Sequence, residues 1–161
     1  MSRLDSFIRR LEAQRALLNW AATKLPDQGL ALEVGLGNGR TFDHLREKLP
    51  GWRIVAFDRQ NNANPRSVPP VGDLILGEFA TALPAFAAEH PQAARLIHCD
   101  AGLGDPEANA KQVAMISHWV PPLAAPGALV LSDQQLSHPE LEELPLPVAI
   151  PPNRYFVYKR R

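Results

Sequence analysis

Between Leu4 and Leu25 the apolar positions Leu4, Phe7, Ile8, Leu11, Leu18, Ala21, Ala22 and Leu25 recur mostly at three- and four-residue intervals, with arginines and acids between them. That is the period of one helix face, so the pattern predicts an amphipathic helix at the start of the chain. The turn chemistry of Pro26-Asp27-Gln28-Gly29 then gives way to Leu30-Ala31-Leu32-Glu33-Val34, a short apolar run suited to a strand buried on both faces. Thr41 to Leu49 has helical character and stops at Pro50-Gly51, and Arg53 to Phe57 reads as a second strand closing on Asp58. The polar, asparagine- and proline-rich stretch from Gln60 to Pro70 reads as a loop, either a lid beside a site or plain surface.

Further on, Asp73 to Leu76 predicts a third strand, and Phe79 to Glu89 a helix that contains Pro84. Arg95 to Cys99 predicts a fourth strand ending on Asp100, Glu107 to Val120 a helix stopped by Pro121-Pro122, and Ala128 to Leu131 a fifth strand. Alternating strands and helices require crossover connections, and right-handed crossovers build a mostly parallel sheet with helices on both faces. The end differs: Leu146 to Ile150 and Tyr155 to Tyr158, separated by Pro151-Pro152-Asn153-Arg154, predict a hairpin whose last strand runs antiparallel. Ser137-His138-Pro139-Glu140 carries the pattern of a helix start, with Ser137 as cap and Glu140 closing a capping box.

Composition narrows the class. A chain of 161 residues fits one domain, expected over residues 1–161 with a helix in residues 1–26 and the α/β core in residues 30–161. With 45% hydrophobic and 21% charged residues the chain resembles a globular protein rather than a disordered or membrane one. Seventeen basic and seventeen acidic residues cancel, which argues against a partner that is a nucleic-acid backbone. The single cysteine, Cys99, permits no internal disulfide, and no export signal or bilayer-spanning run is expected, so the cytoplasm is the expected compartment.

Chemistry concentrates after the first strand. Gly35, Gly37 and Gly39 stand between a buried strand and a helix, where a tight turn brings backbone close to a ligand. Asp58, ending the next strand, lies near the spacing at which a carboxylate accepts hydrogen bonds from ribose hydroxyls, so turn and acid together read as an adenosine site. A nicotinamide-dinucleotide fingerprint would place its third glycine at position 40, where Arg40 stands. Glu33 is an ionisable group in an otherwise apolar strand and needs partners, which a ligand amine or the turn amides would supply.

These residues resemble a known family. Leu32-Glu33-Val34-Gly35-Leu36-Gly37-Asn38-Gly39 is similar to motif I of the class I S-adenosylmethionine-dependent methyltransferases, and Asp58 matches that family's second-strand acid. The resemblance implies a Rossmann-like α/β fold: a seven-stranded mostly parallel sheet, helices on both faces, an antiparallel last strand and here an extra N-terminal helix. It also implies S-adenosyl-L-methionine as cofactor. Glu33 and the three glycines would then lie at its methionine part, Asp58 at its ribose, Glu78 at the adenine amino group and Phe79 against the ring. The alternatives are a nicotinamide-dinucleotide oxidoreductase and a non-catalytic S-adenosylmethionine-binding protein.

In-line methyl transfer chiefly needs alignment of acceptor and methyl group, and the acceptor side falls at the ends of strands four and five. The candidates there are Asp100 and His98, with His138 in the following acidic segment. Asp100-Ala101-Gly102 departs from the Asn/Asp-Pro-Pro-aromatic pattern of the family's base-amine methylating members. Asp100, Asp133 and Gln134 stand where metal-dependent O-methyltransferases of the catechol type carry an Asp and an Asp-Asn pair, which makes them the candidate ligands for a divalent metal. A small-molecule acceptor is expected; because no substrate domain is inserted, its pocket must be built from short loops, the N-terminal helix or a second subunit, and a homodimer is expected.

Overall fold

The computed structural model describes residues 1–161. Helix α1 (Arg3–Ala22) starts where Ser2 accepts the Asp5 amide at 3.0 Å and Asp5 reaches back to the Ser2 backbone, a capping box at the chain's first turn. Strand β1 (Leu30–Val34) is followed by α2 (Arg40–Lys48), β2 (Arg53–Asp58), β3 (Leu74–Leu76), α3 (Phe79–Glu89), β4 (Ala94–Cys99), α4 (Pro106–Leu123), β5 (Ala124–Ser132), β6 (Leu141–Leu144) and β7 (Phe156–Arg160). The seven strands form one sheet in the order β3-β2-β1-β4-β5-β7-β6, parallel except for β7, which runs antiparallel to both neighbours. This is the α/β architecture implied by the alternation, antiparallel last strand included.

Alternation within the buried strands sorts the core into two layers. Leu32, Val34, Val55, Phe57, Ile97, Cys99 and Val130 pack on one face beneath α3 and α4. Ala31, Ile54, Ala56, Leu96, Leu131 and Val157 pack on the other beneath α1 and α2. Helix α1 is therefore half of the helical layer on its face, with Ala13, Leu17, Leu18 and Ala21 fully covered, rather than an appendage.

Three local expectations are corrected. The helix predicted to stop at Pro121-Pro122 includes both prolines in its last turn, where the terminal carbonyls lack intrahelical donors and are satisfied from outside. Here Pro121 O accepts from Arg160 Nε at 3.3 Å and Pro122 O from the Gln92 amide at 2.8 Å. Second, the strand beside β7 is Leu141–Leu144, not Leu146–Ile150. Leu146, Val148 and Ile150 do alternate half-buried with exposed neighbours, but Pro145 and Pro147 have no amide to donate to a ladder. Third, Ser137 caps no helix: its amide donates to Ser117 Oγ at 3.0 Å and the chain passes directly into β6.

Candidate functional site

Sequential strands run outward from β1 to β3 on one side and from β4 to β5 on the other, so the connections leaving β1 and β4 part in opposite directions. Open parallel sheets bind ligands in the crevice this creates at the carboxyl ends of the strands. The Gly35–Gly39 turn leaves β1 there and Asp100 leaves β4, their bases tied by Gly35 N donating to Phe57 O at 2.9 Å and Asp100 N to Val34 O at 2.9 Å.

The first and second glycines of the turn differ in what they do. Gly35 has φ +95°, and a Cβ there would lie 2.3 Å from the Asp100 carbonyl oxygen, so the turn rests directly on the backbone after β4. Gly37 also has positive φ, but a Cβ there would meet nothing within 4 Å. Its surface is an open cradle of the kind a ligand fills. Asp58 braces this turn: its Oδ2 accepts the amides of Leu36 at 3.0 Å and Gly37 at 2.9 Å, while Oδ1 accepts the Arg59 amide at 2.7 Å. The asparagine-rich loop packs behind the turn, where Asn64 N donates to Asn38 O at 2.9 Å and Ser67 approaches Gly39.

Two pockets meet at this turn, and a third adjoins them through Arg10, Gly102 and Leu103. One of about 190 Å³ lies between Gly35, Gly37, Asp58, Phe79, Leu103 and Gln112. A second of about 200 Å³ lies between the turn and α1, bounded by Phe7, Arg10, Gln14, Arg40, Thr41 and Asp100. The third, of about 390 Å³, is bounded by Arg10, Gly102, Asp133, Gln134, Asn153 and Arg154. Asp100 borders the first two and Arg10 the last two.

Beneath the turn runs a buried polar chain. Glu33 and His98 are register neighbours on β1 and β4, facing the α1 side. Glu33 Oε1 accepts from Thr41 Oγ1 at 2.7 Å and lies 2.8 Å from His98 Nδ1, while His98 Nε2 lies 2.8 Å from the Tyr155 hydroxyl. Gln14 Nε2 donates to that hydroxyl at 2.9 Å and to Asp100 Oδ2 at 2.7 Å, and Arg10 closes the chain on Asp100 Oδ1. One assignment gives every hydrogen an acceptor: Gln14 donates both ways, Tyr155 donates to Nε2, and Nδ1–H donates to Glu33. Burial is the largest single influence on His98 and opposes a second proton, but the charge of Glu33, its hydrogen bond to the ring and the charges of Asp100 and Asp133 together outweigh it and raise the imidazole pKa. Glu33 Oε2 is the one buried side-chain polar atom without a partner.

Of the residues singled out from sequence, Gly35, Gly37, Asp58, Phe79 and Asp100 line the crevice. Glu33 lies wholly beneath it. Glu78 stands at the start of α3, mostly exposed, paired with Arg59 at 3.2 Å. His98 is wholly buried with both ring nitrogens engaged. His138 borders none of the three pockets, and its Nδ1 accepts the Glu140 amide at 3.1 Å. Asp133 accepts the amides of Ala101 at 3.4 Å and Gly102 at 3.1 Å, and Gln134 Oε1 accepts from Asn109 Nδ2 at 2.9 Å. With Arg10 already the cation on Asp100, the set Asp100, Asp133 and Gln134 does not fit a divalent metal as it stands. Burial and the charge of Asp100 raise the Asp133 pKa.

Sequence reasoning missed Arg10, Gln14 and Tyr155. A signal for Gln14 existed: it stands in the apolar stripe between Leu11 and Leu18 and is itself buried. Nothing in the pattern distinguishes Tyr155 from a packing aromatic.

Comparison with known proteins gives the following. Residues 1–160 match the family described as S-adenosyl-L-methionine methyltransferase. The fold is similar to a crystal structure of an S-adenosyl-L-methionine methyl transferase from Silicibacter pomeroyi DSS-3, at 39% identity and TM-score 0.93, covering 100% of this chain and 99% of that one. It is also similar to 1,6-didemethyltoxoflavin-N1-methyltransferase from Burkholderia thailandensis, solved with 1,6-didemethyltoxoflavin and S-adenosylhomocysteine bound, at 14% identity and TM-score 0.56, covering 92% of this chain and 78% of that one. TrmN from Thermus thermophilus shares the fold at 18% identity and TM-score 0.67, covering 92% of this chain and 48% of that one. Among curated proteins no relative matches the chain.

Proposed function

The chain belongs to the S-adenosyl-L-methionine methyltransferase family and is an S-adenosyl-L-methionine-dependent methyltransferase; on that premise we propose how its residues divide the work and what kind of acceptor they serve. The observation that carries the proposal is the open cradle over Gly37, braced by Asp58, at the point where the connections of β1 and β4 part.

The pocket beside Asp58 takes the adenosine: Asp58 the ribose, Phe79 and Leu103 the base, with Glu78 at its rim. The pocket between the turn and α1 takes the methionine part, over Gly35 and Gly37, with the Glu33 carboxyl buried beneath and Gly39 turned away against Ser67. When bound, the cofactor would supply a sulfonium methyl group for in-line transfer to the acceptor, with the neutral thioether as leaving group. What the protein contributes is alignment and exclusion of water. Asp100, shared by both cofactor pockets, is the group placed to orient an acceptor at their junction. His98 is a positioning residue: through Tyr155 and Gln14 it holds Asp100 rather than touching the acceptor. His138 takes no part in this arrangement, and no step is assigned to a metal.

The acceptor is a small molecule. The third pocket, about 390 Å³ and bordered mostly by polar groups, supports this, as does the zero net charge of the chain. A homodimer is supported by Leu4, Phe7 and Ile8, which expose apolar surface at the start of α1. Light scattering that stays at the monomer mass at micromolar concentration would refute it. No helix is long and apolar enough to cross a membrane, and the single buried cysteine supports a cytoplasmic setting. Calorimetry with S-adenosylmethionine, S-adenosylhomocysteine and NAD tests the whole arrangement. Binding of the first two is expected, and binding of NAD alone would overturn it.

A further inference from the structure

Three arginines are not fully exposed: Arg10, Arg154 and Arg160. A guanidinium partly withdrawn from water needs a counter-charge to offset lost hydration. Arg10 has Asp100, and Arg160 has Glu140 at 2.7 Å. Arg154 has no carboxylate; its one side-chain hydrogen bond is from Nη2 to the neutral Ser6 Oγ at 3.0 Å.

The backbone on either side of it is constrained. Asn153 before it adopts φ +59°, a left-handed turn that asparagine tolerates better than most residues. Tyr155 after it is anchored by the buried hydroxyl that meets His98 and Gln14. Between these two, Arg154 borders the third pocket with Arg10, Asn153, Gln134 and Asp133, and with Leu103 as the one hydrophobic member. Asp133 is the pocket's acid, but its carboxylate is held by the Ala101 and Gly102 amides and forms no ion pair with Arg154.

We propose that this pocket is the acceptor site and that it selects an acceptor carrying an oxyanion, a carboxylate or a phosphate, which Arg154 binds as its missing counter-charge. The proposal rests on the methyltransferase reading above and names the chemistry of its acceptor. A planar guanidinium suits both oxyanions, since its parallel N–H groups match two oxygens. Leu103 borders both this pocket and the adenosine pocket, so an acceptor held here adjoins the cofactor.

The test uses the full chain saturated with S-adenosylhomocysteine, titrated with succinate, with inorganic phosphate and with neutral succinamide. Binding is read by calorimetry and by the Arg154 Nε–Hε resonance. Saturable binding of at least one anion is expected, with movement of that resonance and none from succinamide; which anion binds identifies the oxyanion. Arg154→Gln should weaken it about tenfold or more while S-adenosylhomocysteine affinity and melting temperature hold, and Arg154→Lys should recover part of it. Failure of both anions to saturate, equal binding of succinamide, or unchanged anion affinity in Arg154→Gln overturns the proposal. If the wild-type chain fails to bind S-adenosylhomocysteine, the cofactor reading falls first and this proposal with it; normal cofactor binding without anion binding sinks this proposal alone.

Discussion

Replacing Asp58 by Ala is expected to damage two things that can be measured apart. Its Oδ2 accepts two turn amides, at 3.0 and 2.9 Å, so the substitution frees both from a charged acceptor. Hydrogen bonds to charged groups contribute roughly 1.5–3 kcal/mol, but this site is half open to water, so about 1–2 kcal/mol in total is expected. For a chain of this size that lowers the melting temperature by roughly 3–6 °C. If the carboxylate also accepts the ribose hydroxyls, cofactor affinity falls by about 2 kcal/mol, or roughly thirtyfold. Asp58→Asn separates the effects, since its amide oxygen can still accept from the turn while its nitrogen cannot accept from a hydroxyl. Calorimetry well below the melting temperature, beside thermal melts, gives both readouts. Unchanged affinity in the Ala variant refutes the ribose assignment. Full affinity in the Asn variant would show instead that the loss comes from the loosened turn.

Gly35→Ala, which sets a Cβ against the Asp100 carbonyl, should destabilise by about 3 kcal/mol or more. Gly37→Ala should cost about 1–2 kcal/mol of backbone strain and weaken the cofactor more than it lowers stability; equal melting temperatures for the two variants would contradict the difference between these glycines. Tyr155→Phe leaves His98 Nε2 without its partner and should cost about 1–3 kcal/mol, with a displaced His98 ring-nitrogen resonance in NMR; an unmoved resonance would remove Tyr155 from the chain. The pKa of Asp133 is raised on folding, so its proton-linked stabilisation is complete below the ordinary carboxylate pKa and disappears as pH rises through the folded value. Asp133→Asn should therefore gain stability relative to wild type as pH rises from about 4 to 8, and a gap between their melting curves that does not widen would count against this.

Much of the candidate site was legible because its parts are local. Gly35, Gly37 and Gly39 directly follow an apolar strand, and Asp58 closes the next one, so strand, turn and acid could be placed without any long-range contact. The chain's end was read less well. Period-two burial from Leu146 to Ile150 is real, yet pairing needs backbone donors and a free strand edge, and β6 occupies the edge of β7 through Leu141–Leu144. His98 in an apolar strand was recognisable as unusual, but not its partners, which stand 65 and 57 positions away at Glu33 and Tyr155.

By itself, then, the amino-acid sequence determined the alternation of strands and helices, the glycine turn with its acid and, through them, the family and its cofactor. All of these rest on periodicity or on residues close along the chain. Only the tertiary structure decided that α1 borders the candidate site. Arg10 and Gln14 reach Asp100 across 90 and 86 positions because α1 packs on the sheet face where Glu33 and His98 are buried. It likewise decided that Arg154, alone among the arginines not fully exposed, has no carboxylate. Burial and missing counter-charges belong to the packed whole, and no short stretch of sequence encodes them.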